Sequence, residues 1–202
     1  MKKVLVIFAH PMLEKSLTQI KFIEGLKTMP HIFFHDLYQT YPDFDVDVEF
    51  EKELLLNHDV IVWQHPFYWY SSPPLLKQWI DLVLEHGWAY GKDGIYLKGK
   101  MIFNAITTGG PNFGYEETGF NKHTIRQFLA PFEQTAILCN MHYLPPFVMH
   151  GTHRASQDER IEFANSYKQL LTDLTVNKFY LHKLTSVKYL NELIPSSKNQ
   201  TV

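Results

Sequence analysis

The sequence predicts an α/β protein in which a five-stranded parallel sheet carries helices on both faces. The first reason is that short apolar runs without polar alternation, such as residues 4–9, are typical of strands buried on both sides. The second is that five such runs alternate with segments whose apolar residues recur at helical spacing. The third is the length of 202 residues, which suits one domain whose core needs no disulfide.

The elements follow from local patterns along the chain. The strands are predicted at residues 3–9, 31–37, 59–64, 100–107 and 134–142. The helices are predicted at residues 17–26, 48–57, 75–86, 121–130 and 156–175. Pro73 and Pro74 favour a helix start there, because backbone N–H groups of a first turn need no partner within the helix. The last helix is introduced by a capping box formed by Ser156 and Glu159.

Five strands at this length favour the sheet order 2-1-3-4-5, which is the flavodoxin-like arrangement. We expect residues 1–175 to form this domain and residues 176–202 to form a partly ordered carboxyl-terminal extension with a polar end. The apolar run after Met1 is too short for a signal peptide, and no stretch approaches a transmembrane length. A cytoplasmic protein is therefore expected, with a peripheral position on the inner face of the cell membrane as the alternative.

Composition excludes several classes of function. Lys plus Arg is 19 and Asp plus Glu is 21, so a net charge of −2 gives no reason to expect a nucleic-acid partner. The single cysteine, Cys139, excludes an internal disulfide or a CxxC redox pair, and it is predicted to be an inert thiol inside the fifth strand. His150 and His153 have no acidic or cysteine neighbour in the sequence, so no metal site is predicted.

In an open α/β sheet, ligands bind outside the carboxyl ends of the strands, near the point where the strand order reverses. The loop after the first strand has neither GxGxxG nor a P-loop motif. It places the hydroxyls of Ser16 and Thr18 at a helix start, where backbone N–H groups form a natural phosphate site. An ordinary helix cap by Ser16 explains the same residues.

The loop after the third strand contains four consecutive aromatic residues, Phe67, Tyr68, Trp69 and Tyr70. Four successive side chains cannot all point into the core, and a flat ligand stacked on some of them would explain their presence. The loop after the fourth strand reads Thr107-Thr108-Gly109-Gly110, whose glycines allow a backbone to approach a ligand closely, although a plain turn is an equal alternative. Together the three loops favour flavin mononucleotide, FMN, with its phosphate at residues 16–19 and its isoalloxazine ring between the other two loops.

A succession of short motifs extends over residues 3–173. The motifs are Phe8-Ala9-His10-Pro11, Leu37-Tyr38-Gln39, Tyr41-Pro42-Asp43-Phe44, Val62-Trp63-Gln64-His65-Pro66, Trp69-Tyr70-Ser71, Pro73-Pro74-Leu75-Leu76-Lys77, His86-Gly87-Trp88-Ala89-Tyr90-Gly91, Thr107-Thr108-Gly109-Gly110 and Leu144-Pro145-Pro146-Phe147. In this order and spacing the chain resembles the flavodoxin-like NAD(P)H dehydrogenase (quinone) family. Within that family it is most similar to the ancillary flavoproteins of the glutathione-gated potassium efflux system.

The resemblance implies a homodimer that binds FMN rather than FAD and reduces quinones with NADH or NADPH. It implies a ping-pong cycle in which two electrons pass as hydride through flavin N5. The cofactor contacts it implies are His10, Ser16, Leu17, Thr18, Gln19, Phe67, Tyr68, Trp69, Tyr70, Thr107, Thr108, Gly109, Gly110 and Tyr115. The proton relay of the family carries over to Tyr115; its histidine position falls on Asn121, and His123 lies two residues later.

Two other functions compete with the enzyme hypothesis. The narrower resemblance implies a regulatory subunit that binds a membrane potassium efflux transporter, with oxidoreductase activity secondary. A response-regulator receiver of the same fold would need acidic residues after the first strand and an aspartate ending the third. His10-Pro11 and His65-Pro66 occupy those places, so this function is disfavoured.

Overall fold

The computed structural model describes residues 1–194 of the chain. Its strands are β1 (Val4–Phe8), β2 (Ile32–Asp36), β3 (Val60–Pro66), β4 (Met101–Thr107), β5 (His142–Tyr143) and β6 (Phe147–Met149). Its helices are α1 (Leu17–Ile23), α2 (Leu37–Thr40), α3 (Val48–Leu56), α4 (Pro74–Val83), α5 (Ile125–Phe128), α6 (Ala130–Leu138), α7 (Gln157–Thr175) and α8 (Leu181–Thr185). All strand pairs are parallel, and the order is β2-β1-β3-β4-β5 with β6 also paired to β4. The predicted fold class and strand order are therefore confirmed.

The sheet separates two hydrophobic cores because neighbouring residues of a strand point to opposite faces. In β1, Leu5 and Ile7 belong to the core on one face, and Val4 and Val6 belong to the core on the other. All four side chains are fully buried. This explains why the strands are continuous apolar runs rather than alternating ones.

The prediction of a fifth strand at residues 134–142 is wrong for most of its length. Residues 130–138 form α6, whose buried residues Phe132 and Ala136 lie one turn apart, with Cys139 buried just after its end. Burial raises the pKa of the Cys139 thiol to about 11, so the expected inert thiol is retained at a helix end rather than in a strand. The fifth sheet position is shared by β5 and β6, which are separated by Pro145 and Pro146.

The other helices differ from prediction mainly at their ends. α1 stops at Ile23, before Gly25, which adopts a left-handed φ of 81°. The predicted helix at 121–130 is reduced to α5, and Pro131 lies in the first turn of the separate helix α6. The short helix α2, capped by Asp36, has no counterpart among the predicted helices, and its first residue, Leu37, was predicted as the end of the second strand. The predicted capping box of Ser156 and Glu159 is present at the start of α7.

A buried carboxylate connects α3 to the neighbouring elements. Glu51 is fully buried and accepts hydrogen bonds from the Tyr41 hydroxyl at 2.6 Å and the Trp79 indole at 2.8 Å. His35 Nε2 is its third partner. A buried carboxylate needs such donors, because leaving it unpaired is costly.

Residues 176–194 of the predicted extension pack onto the core through Leu184, Leu190 and Ile194. The remaining residues of the extension, 195–202, lie outside the described residues. Across residues 1–194, no helix combines the length and the apolar character required to cross a bilayer.

Candidate active site

The carboxyl ends of β1, β3 and β4 open onto a cavity of about 480 Å³. This volume lies in the range of small-molecule sites. Its walls come from all three loops that the sequence singled out, including His10, Ser16, Phe67, Trp69 and Gly109. The topology explains this convergence, because parallel strands end at the same edge of the sheet.

The aromatic loop turns its side chains in different directions. Phe67 is buried, whereas Tyr68, Trp69 and Tyr70 are exposed, Trp69 by 93 %. Trp69 and Tyr70 have left-handed φ values of 49° and 64°, a costly conformation for large side chains. Such strain is typical of ligand-binding loops, and here it keeps the Trp69 ring at the cavity wall and out of the core.

The cavity wall also carries hydroxyls and cations. The Ser16 hydroxyl accepts a hydrogen bond from the Gln19 N–H, so the helix-cap role is realised. The Thr18 hydroxyl accepts one from Arg160 Nε at 3.2 Å, and Arg160 Nη2 donates to the Thr152 carbonyl. Lys15 lines the same cavity. Arg160 lies on α7, far away in the chain, and was not identified from the sequence because no local motif marks it.

Gln19 lies behind the cavity rather than on its wall. Its fully buried side chain donates to the Thr107 hydroxyl at 3.0 Å and accepts from Gln64 at 3.2 Å. Tyr167 on α7 donates to Gln64 in turn. Gln19 therefore connects α1 to β3 and β4, and both its amide nitrogen and its amide oxygen are already hydrogen-bonded. The predicted contact Leu17, by contrast, is exposed at the cavity edge.

The glycine turn after β4 is held close to its neighbours. A Cβ atom on Gly109 would lie 2.4 Å from the His153 ring, so a larger residue would displace that ring. The Thr108 N–H donates to the Met149 carbonyl, and the Gly110 carbonyl accepts from the Gly151 N–H. Among residues 1–194, the N–H groups of Gly109 and Gly110 donate no hydrogen bond and remain available to a ligand.

The structure separates the two residues of the predicted proton relay. Tyr115 is buried, and burial raises the pKa of its hydroxyl. His123 is exposed, and its Nδ1 lies 3.2 Å from the Asn121 carbonyl. Within the described part of the chain no contact joins Tyr115 to His123. The histidine beside Tyr115 is instead His150, with ring centroids 5.5 Å apart.

A second cavity of about 230 Å³ adjoins the first. Both cavities are lined by Phe67 and Trp69, and the second also by Tyr70, Tyr115 and Asn121. The wall is fixed in part by the Tyr70 hydroxyl, which donates to Asn121 Oδ1 at 3.2 Å. A small planar molecule in this space would lie directly beside the occupant of the larger cavity.

Buried histidines support the loops without carrying charge. Full burial lowers the pKa of His65 to about 4, and its ring bridges the Pro66 carbonyl and the Asn104 amide. Burial also lowers the pKa of His10, whose Nδ1 accepts from the Met12 N–H. Within residues 1–194 no group of three or more His, Cys, Asp or Glu side chains is placed to hold a metal ion.

Residues 2–171 match the model of a protein family described as having a flavodoxin-like fold. The chain belongs to this family. It is 42 % identical over 191 residues to an uncharacterized NAD(P)H oxidoreductase, YdeQ, of Bacillus subtilis, covering 95 % of each chain. It is 40 % identical to the glutathione-regulated potassium-efflux system ancillary protein KefG of Yersinia enterocolitica, covering 84 % of this chain and 92 % of KefG.

Solved structures of similar chains include one with bound flavin. General stress protein 14 of Treponema denticola, in complex with FMN, is 40 % identical with a TM-score of 0.81, covering 85 % of this chain and 99 % of that one. An NADPH-quinone reductase from P. pentosaceus is 34 % identical with a TM-score of 0.75, covering 83 % and 96 %. A chain named thermophilic tryptophan halogenase, from Streptomycin violaceusniger, is 43 % identical with a TM-score of 0.81, covering 87 % and 99 %. Because similar chains of this fold have different named functions, the fold alone does not define the function, and the residues of the site must be considered.

Proposed function

We propose that this protein is an FMN-dependent NAD(P)H:quinone oxidoreductase. The observation that carries the proposal is the mixed lining of the larger cavity. Its wall combines the cations and the hydroxyl of Arg160, Lys15 and Thr18 with aromatic rings and a glycine turn. A molecule that joins a phosphate to a planar heterocycle would satisfy both kinds of lining.

The residues present fit FMN. A phosphate beside Arg160 and Lys15 would neutralise two cations and accept from hydroxyl donors. The free N–H groups of Gly109 and Gly110 suit the polar edge of the ring, and Trp69 offers an exposed face for stacking. The FMN complex of a relative 40 % identical supports the choice of FMN.

When bound, FMN would supply hydride transfer at N5, taking two electrons from NAD(P)H and passing them to a quinone in alternation. The residues of the chain would position the flavin ring and stabilise the charge on it. The Gly109 and Gly110 N–H groups would stabilise negative charge on the ring, as donors do in an oxyanion hole. Burial raises the pKa of the Tyr115 hydroxyl, which interacts with Thr108 and would present a neutral polar group beside the second cavity.

Reconstitution tests the proposal directly. The purified chain is titrated with FMN and separately with FAD, and oxidation of NADH and of NADPH is followed with and without a small benzoquinone. We expect tighter binding of FMN and turnover that depends on the quinone. Free FMN at the same concentration is the control for non-enzymatic reaction. Failure to bind FMN, or nucleotide oxidation that does not depend on the quinone, would reject the proposal.

We further propose a homodimer. On α4, Trp79 and Val83 are fully buried in the core, but Leu82 remains 40 % exposed. An exposed leucine beside a buried stripe supports a self-complementary contact. Light scattering coupled to size exclusion gives the mass, and Leu82→Glu is expected to convert a dimer into a monomer.

The second candidate function is that of an ancillary subunit. It is favoured by the KefG and KefF relatives, which are named as ancillary proteins of a potassium-efflux system. Co-purification with a membrane transporter from native cells tests this role. The two functions are compatible, since one surface can dock while the strand-end cavity binds its ligand.

A further inference from the structure

The carboxyl-terminal segment, residues 181–194, lies beyond the match to the family model, which ends at residue 171. It contains α8 and a single turn at Leu190–Leu193. Leu184 and Leu190 are almost fully buried, so the segment is part of the packed structure. Its other contacts lead towards the candidate site.

The carboxyl-terminal segment fixes the backbone at the end of the sheet. The Asn191 side chain accepts from the Val148 N–H at 2.9 Å and donates to the Val148 carbonyl at 3.1 Å, as a neighbouring strand would. The Leu190 N–H donates to the Pro146 carbonyl at 3.0 Å. These bonds hold β6, and His150 follows β6 directly.

Two further contacts of the segment reach the residues around the second cavity. The Tyr189 ring packs edge-on against the His150 ring, with centroids 5.6 Å apart. Lys188 pairs with Glu116 at 2.6 Å, and Glu116 follows Tyr115 in the chain. The segment therefore holds the residue after β6 and the loop that carries Tyr115 at the same time.

His150 lies between the segment and the site. Its Nδ1 is 3.1 Å from the Thr108 hydroxyl, which itself donates to the Gly110 carbonyl at 2.8 Å. When the Thr108 proton is donated to the Gly110 carbonyl, the Thr108 oxygen can accept a hydrogen bond from the His150 tautomer protonated at Nδ1. Its Nε2 is buried without a hydrogen-bond partner in the described chain, which leaves Thr108 as the bond that orients the ring. Thr108 also interacts with the Tyr115 hydroxyl.

On the basis of the proposed function, we propose that Tyr189 and His150 are positioning residues for the substrate side of the site. Tyr189 holds the His150 ring, and His150 holds Thr108, the glycine turn and Tyr115 in their places beside the second cavity. FMN affinity should fall less than turnover, because Thr18 on α1 and Arg160 on α7 do not depend on this chain of contacts. Turnover should depend on it, since small displacements of positioning groups slow chemistry strongly.

The first arm of the test needs no cofactor. The ¹⁵N resonances of the His150 ring, assigned by comparison with His150→Asn, are followed against pH in the chain without FMN. Burial lowers the pKa of His150 to about 4, with Lys188 lowering it and Glu116 raising it. We expect a neutral Nδ1–H ring in the wild type. Tyr189→Leu should raise the pKa by about one unit by admitting water, while Lys188, Glu116 and Tyr115 still face the ring.

The second arm measures FMN affinity and quinone turnover. We expect Tyr189→Leu and His150→Phe to lower kcat/KM for the quinone about tenfold, with a smaller loss of FMN affinity. Tyr189→Phe keeps the ring and removes a hydroxyl that has no hydrogen-bond partner in the described chain, so it should behave as wild type. Leu184→Ala is the stability control, because it removes buried packing from the same segment away from His150; its Tm should fall while kcat/KM is kept.

The outcomes separate the two proposals. Unchanged titration of His150 in Tyr189→Leu overturns the positioning role, and so does a loss of kcat/KM in Leu184→Ala equal to that in Tyr189→Leu. Absence of quinone turnover in the wild type overturns the proposed function instead. In that case the ¹⁵N titration alone still decides whether the segment controls His150.

Discussion

Replacement of Arg160 by alanine tests the phosphate end of the cavity most directly. Arg160 is held at the wall by bonds from Nε to Thr18 and from Nη2 to the Thr152 carbonyl. A phosphate in this cavity would therefore meet a cation whose position is already fixed. Hydrogen bonds to charged groups contribute about 1.5–3 kcal/mol, so Arg160→Ala should weaken FMN binding roughly 10- to 150-fold.

Riboflavin supplies the internal control, because it has the same ring and ribityl chain without the phosphate. Quenching of flavin fluorescence gives the Kd of both ligands for the wild type and for Arg160→Ala. We expect the loss to be confined to FMN. Arg160→Lys keeps the charge but loses the planar guanidinium, so its FMN affinity should lie between those of the wild type and Arg160→Ala.

The riboflavin comparison also separates a local role from a structural one. If Arg160 acted only by bridging α1 to the loop of Thr152, its removal would weaken both ligands equally. Equal losses, or an unchanged FMN Kd, would refute the assignment of the phosphate to this end. If the Arg160 charge binds the phosphate, the ratio of riboflavin affinity to FMN affinity should be higher in Arg160→Ala than in the wild type.

Three further predictions follow from burial and charge. Trp69→Ala should weaken FMN binding about fivefold by fluorescence titration while stability changes by less than about 0.5 kcal/mol, because Trp69 is 93 % exposed. Glu51→Gln should lower the free energy of unfolding in urea by about 2 kcal/mol, whereas exposed Glu49→Gln should leave it unchanged. Between pH 7 and pH 5, the free energy of unfolding should fall by about 2 kcal/mol because of His65, since its ring binds a proton near pH 6.5 in the unfolded chain and near pH 4 in the native one. Urea unfolding of His65→Gln at the two pH values should show a fall smaller by that amount.

Local signals in the sequence predicted most of the fold. The capping box of Ser156, the prolines before α4 and the continuous apolar strands each depend on a few neighbouring residues. The helix α6 was misread because a short apolar run fits a strand or a helix equally well. The choice is made by tertiary packing, which buries Phe132 and Ala136 and leaves Ile137 exposed.

The contrast between local sequence signals and tertiary contacts also applies to the site. The three strand-end loops were predictable because parallel topology brings strand ends together, whatever their distance in the sequence. Arg160 and His150 were not, because each reaches the site through contacts with residues far away in the chain. The sequence of the pair His150 and His153 raises only the question of a metal site, and it predicts none. The structure places His153 against Gly109 and His150 against Thr108, so both histidines serve the glycine turn instead.

The arrangement of the two cavities bears on the order of events. Phe67 and Trp69 belong to the walls of both, so an occupant of the smaller cavity would lie beside the ring held in the larger one. A volume of about 230 Å³ leaves room for one ring system, either nicotinamide or quinone. Donor and acceptor would then have to use this space in turn, and each would meet the same Tyr115 hydroxyl. This sharing is the physical reason to expect an alternating cycle, and it makes each substrate a competitive inhibitor of the other at high concentration.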